Sequence, residues 1–594
     1  MRRIRRYTLL SVAWLLFGMS RVTSADVTIA RDGKPQCVIV VEPRSKTPEH
    51  IAGRELGRVL SEVTGTDIPR AELATPNQSR IFVGAVAAED VIDVSIIDDL
   101  EPEEIFIRTV NQDIVLCGGS PRATLYAVYT FLEDVVGCRW WSPKVSSIPH
   151  SPTLIIPPLD IRYRPPLEYR EPFWFSAFDA EWALRHKYNG HRPPIDADHG
   201  GRHLFEGFVH TFYRIIPPEQ YFAKYPEWFS EIDGKRTHER AQLCLTNDEL
   251  FAEFVRILKE RLRTNHTATI ASVSQNDWYG ACTCPKCAAM DEAEGSQAGT
   301  MLYFVNKVAK EIHRDFPKVT VATLAYQYTR KPPLTIRPRK NVAVWLCSIE
   351  CSFSVPLTHE RNKDFRADIE GWSEICDRMY VWDYTTNFHH YIMPHPNLHV
   401  LGPNVKFFVD HGVVGLFEQG AYHSPGAEMM ELRAWVLAKL LWNPSLDAEK
   451  LIDEFITGYY GTAADDIRAY LDVFHTAVAR TGDYLGCYET PEAKYLAIET
   501  LAAGWEHLAS AEQNAGNDEA LAHRIRVAQL PVLYTLLAVW DKLRAAADER
   551  NVPWPVSESM REVMDRFMTI AKAEGVTHIA ESRLVDTMPG LLKE

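Results

Sequence analysis

Between residues 168 and 442 the chain repeats one pattern: a short apolar run rich in β-branched residues, a polar or aromatic break, then a stretch with apolar residues at three-to-four spacing. Successive strands joined through helices must enter a sheet in the same direction, so such a pattern folds as a parallel sheet wrapped by helices. Strands are predicted at 168–175, 207–212, 243–246, from 269 up to Gln275, and at 319–328, 342–347, 378–384 and 412–418. The one at 207–212 carries the weakest signal, and a helix over 427–442 closes the ring. Eight strands in this order predict an α/β fold, a (β/α)8 barrel.

These runs end in groups that a packed core does not need. They are Asn276-Asp277-Trp278, Tyr326-Gln-Tyr328, Ser348-Ile-Glu350, Asp383-Tyr-Thr-Thr-Asn387 and Glu418-Gln-Gly-Ala-Tyr422. Polar residues at the carboxyl ends of several strands are how a barrel builds a site. Carboxylates beside aromatics suit sugar chemistry, because one acid can serve a glycosidic oxygen while a ring packs on the apolar face of a pyranose. Asp277 is the candidate general acid; the bland alternative is a carboxylate that caps the following helix. Glu418, in an apolar strand, and then Asp383, between Trp382 and Tyr384, are the candidates for base or nucleophile. Trp278, Tyr326, Tyr384 and Tyr422 are expected as sugar platforms, with Asn276, Asn387 and His210 as hydroxyl partners. Glu350 and Arg170 complete the set of candidate substrate contacts, and a salt bridge to Arg170 is the structural alternative for the acids.

Other chemistries find less support. No Gly-x-Ser-x-Gly elbow occurs, Gly118-Gly-Ser lacks the lysine of a phosphate loop, and the histidines lack a His-Glu-x-x-His pair, so no catalytic metal is expected. Cys282-x-Cys284-x-x-Cys287 fits two readings, a structural zinc with a fourth ligand such as Cys351 or a histidine, or a disulfide with a spare thiol. Either would brace the loop after Asp277. A formal charge of −15 speaks against nucleic acid as a partner. Residues 1–25 combine a basic start, an apolar run from Tyr7 to Met19 too short to span a bilayer, and a small-residue end. A periplasmic or secreted protein without membrane insertion is expected.

A chain of 594 residues exceeds one core. Residues 26–158 alternate strands and helices as an α+β domain, a proline-rich joint follows, 167–444 hold the barrel, and 445–594 read almost wholly as amphipathic helices. The run from Gly118 to Glu133, with Gly137-Cys-Arg-Trp-Trp141, resembles the auxiliary domain that precedes the barrel of α-glucuronidases and β-N-acetylhexosaminidases. Trp140 and Trp141 would then pack the domain junction or approach the barrel mouth.

Ser274-Gln-Asn-Asp277, the cysteine motif, Phe304-Val-Asn306, Leu324-Ala-Tyr326, Trp382-Asp-Tyr384 and Leu416-Phe-Glu-Gln-Gly420 with Leu432-Arg-Ala-Trp435 resemble domain of unknown function family 4838. That resemblance spans about 169–461. It implies a glycoside-hydrolase-like barrel, with chemistry supplied only by neighbouring families. Hexosaminidases place an aspartate directly before a catalytic glutamate, whereas Asn276-Asp277 stands here, which favours a uronic, sulfated or neutral sugar over N-acetyl assistance. The expected function is an exported glycoside hydrolase acting on carbohydrate with a carboxylate pair; its rival is a barrel that binds carbohydrate without cleaving it.

Overall fold

The computed structural model describes residues 25–71, 78–89 and 91–593, so the leader expected at 1–25 lies outside the described residues except for Ala25. The N-terminal part is built on a six-stranded sheet in which Cys37–Val40, Ser79–Val83 and Asp113–Gly118 run parallel, and Ile105–Val110 and Asp160–Tyr163 pair antiparallel at one edge. Period-two alternation splits its side chains. Ile39, Ile81, Ile107 and Leu116 pack under helices Thr47–Thr64 and Pro121–Thr130, while Val38, Phe82, Phe106 and Val115 form a smaller core on the other face.

Trp140 and Trp141 pack the junction with the barrel. Trp141 meets Trp435 at 5.3 Å with the rings tilted by 43°, and the Trp140 carbonyl accepts from the Trp182 indole at 3.0 Å. Buried Glu133 accepts from Lys187 at 2.8 Å and also contacts Lys439, which fixes the α+β unit to the barrel through paired charges.

The barrel sheet has seven strands, all parallel: β1 (Tyr169–Phe173), β2 (Phe205–Glu206), β3 (Ile270–Ser272), β4 (Thr320–Ala325), β5 (Val342–Cys347), β6 (Met379–Tyr384) and β7 (Val413–Gln419). β7 pairs with β1, and β3 with β2. Between β1 and β2 there is no ladder; the intervening chain bridges them, with Gly190 N–H donating to Arg170 O and His203 N–H to Asn189 O, each at 3.0 Å. The strand expected at 243–246 is absent from this sheet. Leu243 makes a single antiparallel bridge to Phe229, and the stretch around Asp277 therefore follows the third strand, not the fourth.

Aromatic side chains fill the barrel's lower interior. Tyr169 stacks on Tyr380 at 5.6 Å, and Trp345 meets Tyr169 edge-on at 5.3 Å. Beyond the closing helix Met430–Trp442, six further helices run from Ala448 to Glu574, and no helix among the described residues is long and apolar enough to cross a membrane. A short hairpin, His578–Ala580 with Arg583–Leu584, then returns to the barrel. It docks by backbone hydrogen bonds, Glu581 N–H to Phe388 O at 2.8 Å and Tyr391 N–H to Ile579 O at 2.9 Å.

Candidate active site

A cavity of about 370 Å³ opens at the carboxyl ends of the strands. That lies within the usual range for a small-molecule site, about 300–1,000 Å³. Trp382, Tyr384, Phe417, Phe173 and Phe208 line its floor and walls, and Tyr326, His210, Gln419 and Tyr422 supply polar groups. Two carboxylates reach it, Asp277 and Glu581. Among the described residues none lining it is lysine or arginine.

Asp277 leaves β3 with its neighbours tied down on both sides. Asn276 N–H donates to Gln242 Oε1 at 2.9 Å, Gln242 Nε2 donates to the Trp278 carbonyl at 2.6 Å, and the Asn276 amide and Trp278 indole both donate to the Ala241 carbonyl, at 3.1 and 2.8 Å. With residues on either side held, the carboxylate itself stays open, its side chain 60% exposed. The Tyr326 hydroxyl donates to Asp277 Oδ1 at 3.1 Å. His210 Nδ1 lies 2.8 Å from the Gln275 carbonyl, which can only accept, so the proton sits on Nδ1; Nε2 is 3.9 Å from Asp277. His210 and Gln327 both adopt left-handed backbone, φ 55° and 52°, a strain of order 1–3 kcal/mol each that gathers at functional sites.

Glu581 sits in the turn of the C-terminal hairpin and accepts the Tyr422 hydroxyl at 2.8 Å. Tyr488 lines the same cavity, and its phenol is raised to about 12, by burial first and then by the charges of Cys487, Glu581 and Asp277. Nearly half exposed, it forms part of the aromatic rim.

Asp383 and Glu418 do not line the cavity. Tyr380, Trp382 and Tyr384 point inward along β6, so Asp383 between them points outward, and Glu418 beside Phe417 does the same on β7. The two acids are register partners on adjacent strands, both buried. Asp383 takes the Ser348 hydroxyl and the Tyr384 N–H and is nonetheless raised to about 6 by burial. No donor among the described residues reaches either Glu418 oxygen, and burial with the Asp383 charge holds its carboxyl well above the ordinary range. Burial and the neighbouring Asp383 carboxylate thus both favour the protonated form of Glu418.

Other expected contacts are also structural. Arg170, fully buried, bonds Glu103 at 2.7 Å and the Lys187 and Leu167 carbonyls. Glu350 pairs with Arg330 at 2.9 Å outside the cavity. Asn387 donates to the Glu489 carbonyl and accepts from His389 N–H, while Asn276 and Trp278 serve the Asp277 loop. Tyr326, Tyr384, Tyr422 and His210 do line the cavity. The fourth cysteine beside Cys282, Cys284 and Cys287 is Cys244, neither Cys351 nor a histidine. Glu581 escapes sequence reasoning because its short hairpin follows a long helical run and carries no motif.

The family model described as Domain of unknown function (DUF4838) matches residues 140–472. Among solved structures, a family GH115 4-O-methyl-α-glucuronidase with specificity for decorated arabinogalactans superposes with a TM-score of 0.57 at 12% identity, covering 93% of this chain and 78% of that one. A GH138 enzyme targeting pectin rhamnogalacturonan II gives 0.44 at 12% identity, over 90% and 92% of the two chains. The curated leucine–tRNA ligase of Sodalis glossinidius is 28% identical over 116 residues, so the match spans 19% of this chain and only 13% of that relative's length. The likeness to the GH115 structure is one of fold, a glycoside-hydrolase-type barrel.

Proposed function

The chain belongs to the DUF4838 family, and from the cleft in its barrel we propose that it is a glycoside hydrolase whose working carboxylates are Asp277 and Glu581. One observation carries this reading: two carboxylates, each accepting a tyrosine hydroxyl, reach one aromatic-lined cavity. Glycoside hydrolysis requires one acid to protonate the leaving oxygen and one carboxylate to act as nucleophile or to activate water. Asp277, with Tyr326 and His210 beside it, is the acid; Glu581 is the base or nucleophile. Trp382, Tyr384 and Phe417 present the ring faces on which a pyranose packs.

The lining also favours a substrate class. An anionic sugar would face Asp277 and Glu581 with no lysine or arginine among the described lining residues. Like charges about 6 Å apart at a partly wet site repel by roughly 3 kcal/mol. Of the uronic, sulfated and neutral sugars expected from sequence, the neutral one therefore suits the cleft best, and an amino sugar suits it too. An exported protein meeting extracellular glycans accords with the leader-like residues 1–25.

The test is a panel of neutral, amino and uronic glycosides and polysaccharides, assayed with wild type, Asp277→Asn and Glu581→Gln. Each variant is expected to lose about 10²–10⁴-fold in turnover with binding retained. Unchanged turnover in both would end the assignment, and binding by wild type without any turnover would favour a non-catalytic carbohydrate-binding barrel.

A further inference from the structure

We propose that Cys244, Cys282, Cys284 and Cys287 bind one zinc ion, which clips the segment around Cys244 to the loop that follows Asp277. All four sulfurs lie within 4.8 Å of one another, all four residues are buried, and together they form a small core of their own. Cys244 Sγ lies 3.7 Å from Cys284 Sγ and 3.9 Å from Cys287 Sγ. A tetrahedron with zinc–sulfur bonds of about 2.3 Å has edges of about 3.8 Å, whereas a disulfide needs about 2.05 Å. The sulfurs therefore already stand at the spacing of a four-thiolate zinc site.

The surroundings suit thiolates. Glu231 N–H donates to Cys282 Sγ at 3.3 Å and the Arg236 guanidinium to the same sulfur at 3.6 Å, so a peptide dipole and a positive charge face the anionic site. Cys284 occupies the position before helix Pro285–Glu294 and Cys287 lies in its first turn, where the helix dipole favours negative charge. Three ligands come from one tight loop and the fourth from a segment 40 residues earlier in sequence.

That segment is where the barrel lacks its expected strand. The Leu243 bridge to Phe229 lies within 228–246, and two backbone bonds, Thr283 N–H to Glu231 O at 2.8 Å and Gln242 N–H to Gly280 O at 3.0 Å, tie that segment to the loop after Asp277. The ion adds a stronger tie between the same two segments. Two residues before Cys244, Gln242 grips Asn276 and Trp278, and Ala241 accepts from both, so the clip reaches the backbone on either side of Asp277. Cys244, Cys282, Cys284 and Cys287 are positioning residues in this sense; none lines the cavity.

The test requires no turnover and so stands apart from the assignment of activity. Full-length protein from zinc-supplemented cells, passed through EDTA on a sizing column, is expected to retain about one zinc per chain, released when the thiols are titrated with a mercurial. Exchange with cobalt(II) should give the intense visible bands and thiolate charge transfer of a tetrahedral sulfur site. Trace metal with four free thiols, or a mass lower by four hydrogens from two disulfides, would overturn the proposal. Hydrogen exchange before and after zinc removal tests the clip itself: faster exchange confined to 228–246 and 276–288, with Val342–Cys347 unchanged, is expected. Uniform acceleration across the barrel, or none, would refute local clipping. Cys244→Ser should lower zinc retention at least about tenfold, and full retention by this variant would remove Cys244 from the ligand set.

Discussion

Replacing Glu418 by glutamine tests whether the buried pair on β6 and β7 is a neutral structural element. In the folded chain Asp383 and Glu418 both retain protons at pH values where the unfolded chain releases them. Folding then binds protons, so stability is intact at low pH and declines as pH rises from the ordinary 3.8 toward about 6 for Asp383, and further for Glu418. For Asp383 alone, 3.8 to about 6 corresponds to on the order of 3 kcal/mol. A glutamine amide keeps the shape and has no proton to hold against rising pH, so the cost of keeping Glu418 protonated disappears. Thermal unfolding of wild type and Glu418→Gln at pH 5 and pH 8 is the assay. The variant should match wild type at pH 5 and exceed it at pH 8 by on the order of 1–3 kcal/mol, a few degrees in Tm. Glu171, raised to about 8, and Glu431, raised to about 7, tilt both proteins alike and cancel in the comparison. A variant that loses stability more at pH 8 than at pH 5 would mean that Glu418 is ionised and paired, and a hundredfold loss of turnover would mean that it reaches substrate; either result refutes the reasoning.

Tyr326→Phe and Tyr422→Phe each remove the hydroxyl that holds one of the two proposed catalytic carboxylates, and each should lower kcat/KM about tenfold with the fold unchanged by circular dichroism. Glu350→Gln breaks a bridge whose carboxylate is 43% exposed and should change stability by less than about 1 kcal/mol and leave turnover as in wild type. Gly458→Ala would drive a Cβ into the Trp141 ring, and overpacking at this buried junction should cost about 1–3 kcal/mol in thermal unfolding.

The strand at 342–347 is legible to the residue because Val-Ala-Val-Trp-Leu-Cys is apolar throughout, as a strand buried on both faces must be. Leu243-Cys-Leu-Thr looks alike in sequence, yet Cys244 is drawn to the sulfur cluster and the ladder never forms. Asp277 reaches the cavity because polar residues leave the sheet where its strand ends. The outward turn of Asp383 was also written in the sequence: aromatics at 380, 382 and 384 claim the inner face, and period two sends the acid between them to the other side. Glu581 was not legible, since only the docking of its hairpin onto 388–391 brings it near the barrel.

That docking makes the cleft a composite of distant parts. With Asp277 in the barrel and Glu581 in the returning hairpin, a chain whose barrel has formed but whose helical domain has not settled holds only one of the two acids. Under the proposed function, turnover would then report assembly of the whole molecule and would be lost from a misdocked or clipped chain before it unfolds. The helices from Ala448 to Glu574 would, under the same proposal, act as a check that the molecule is complete.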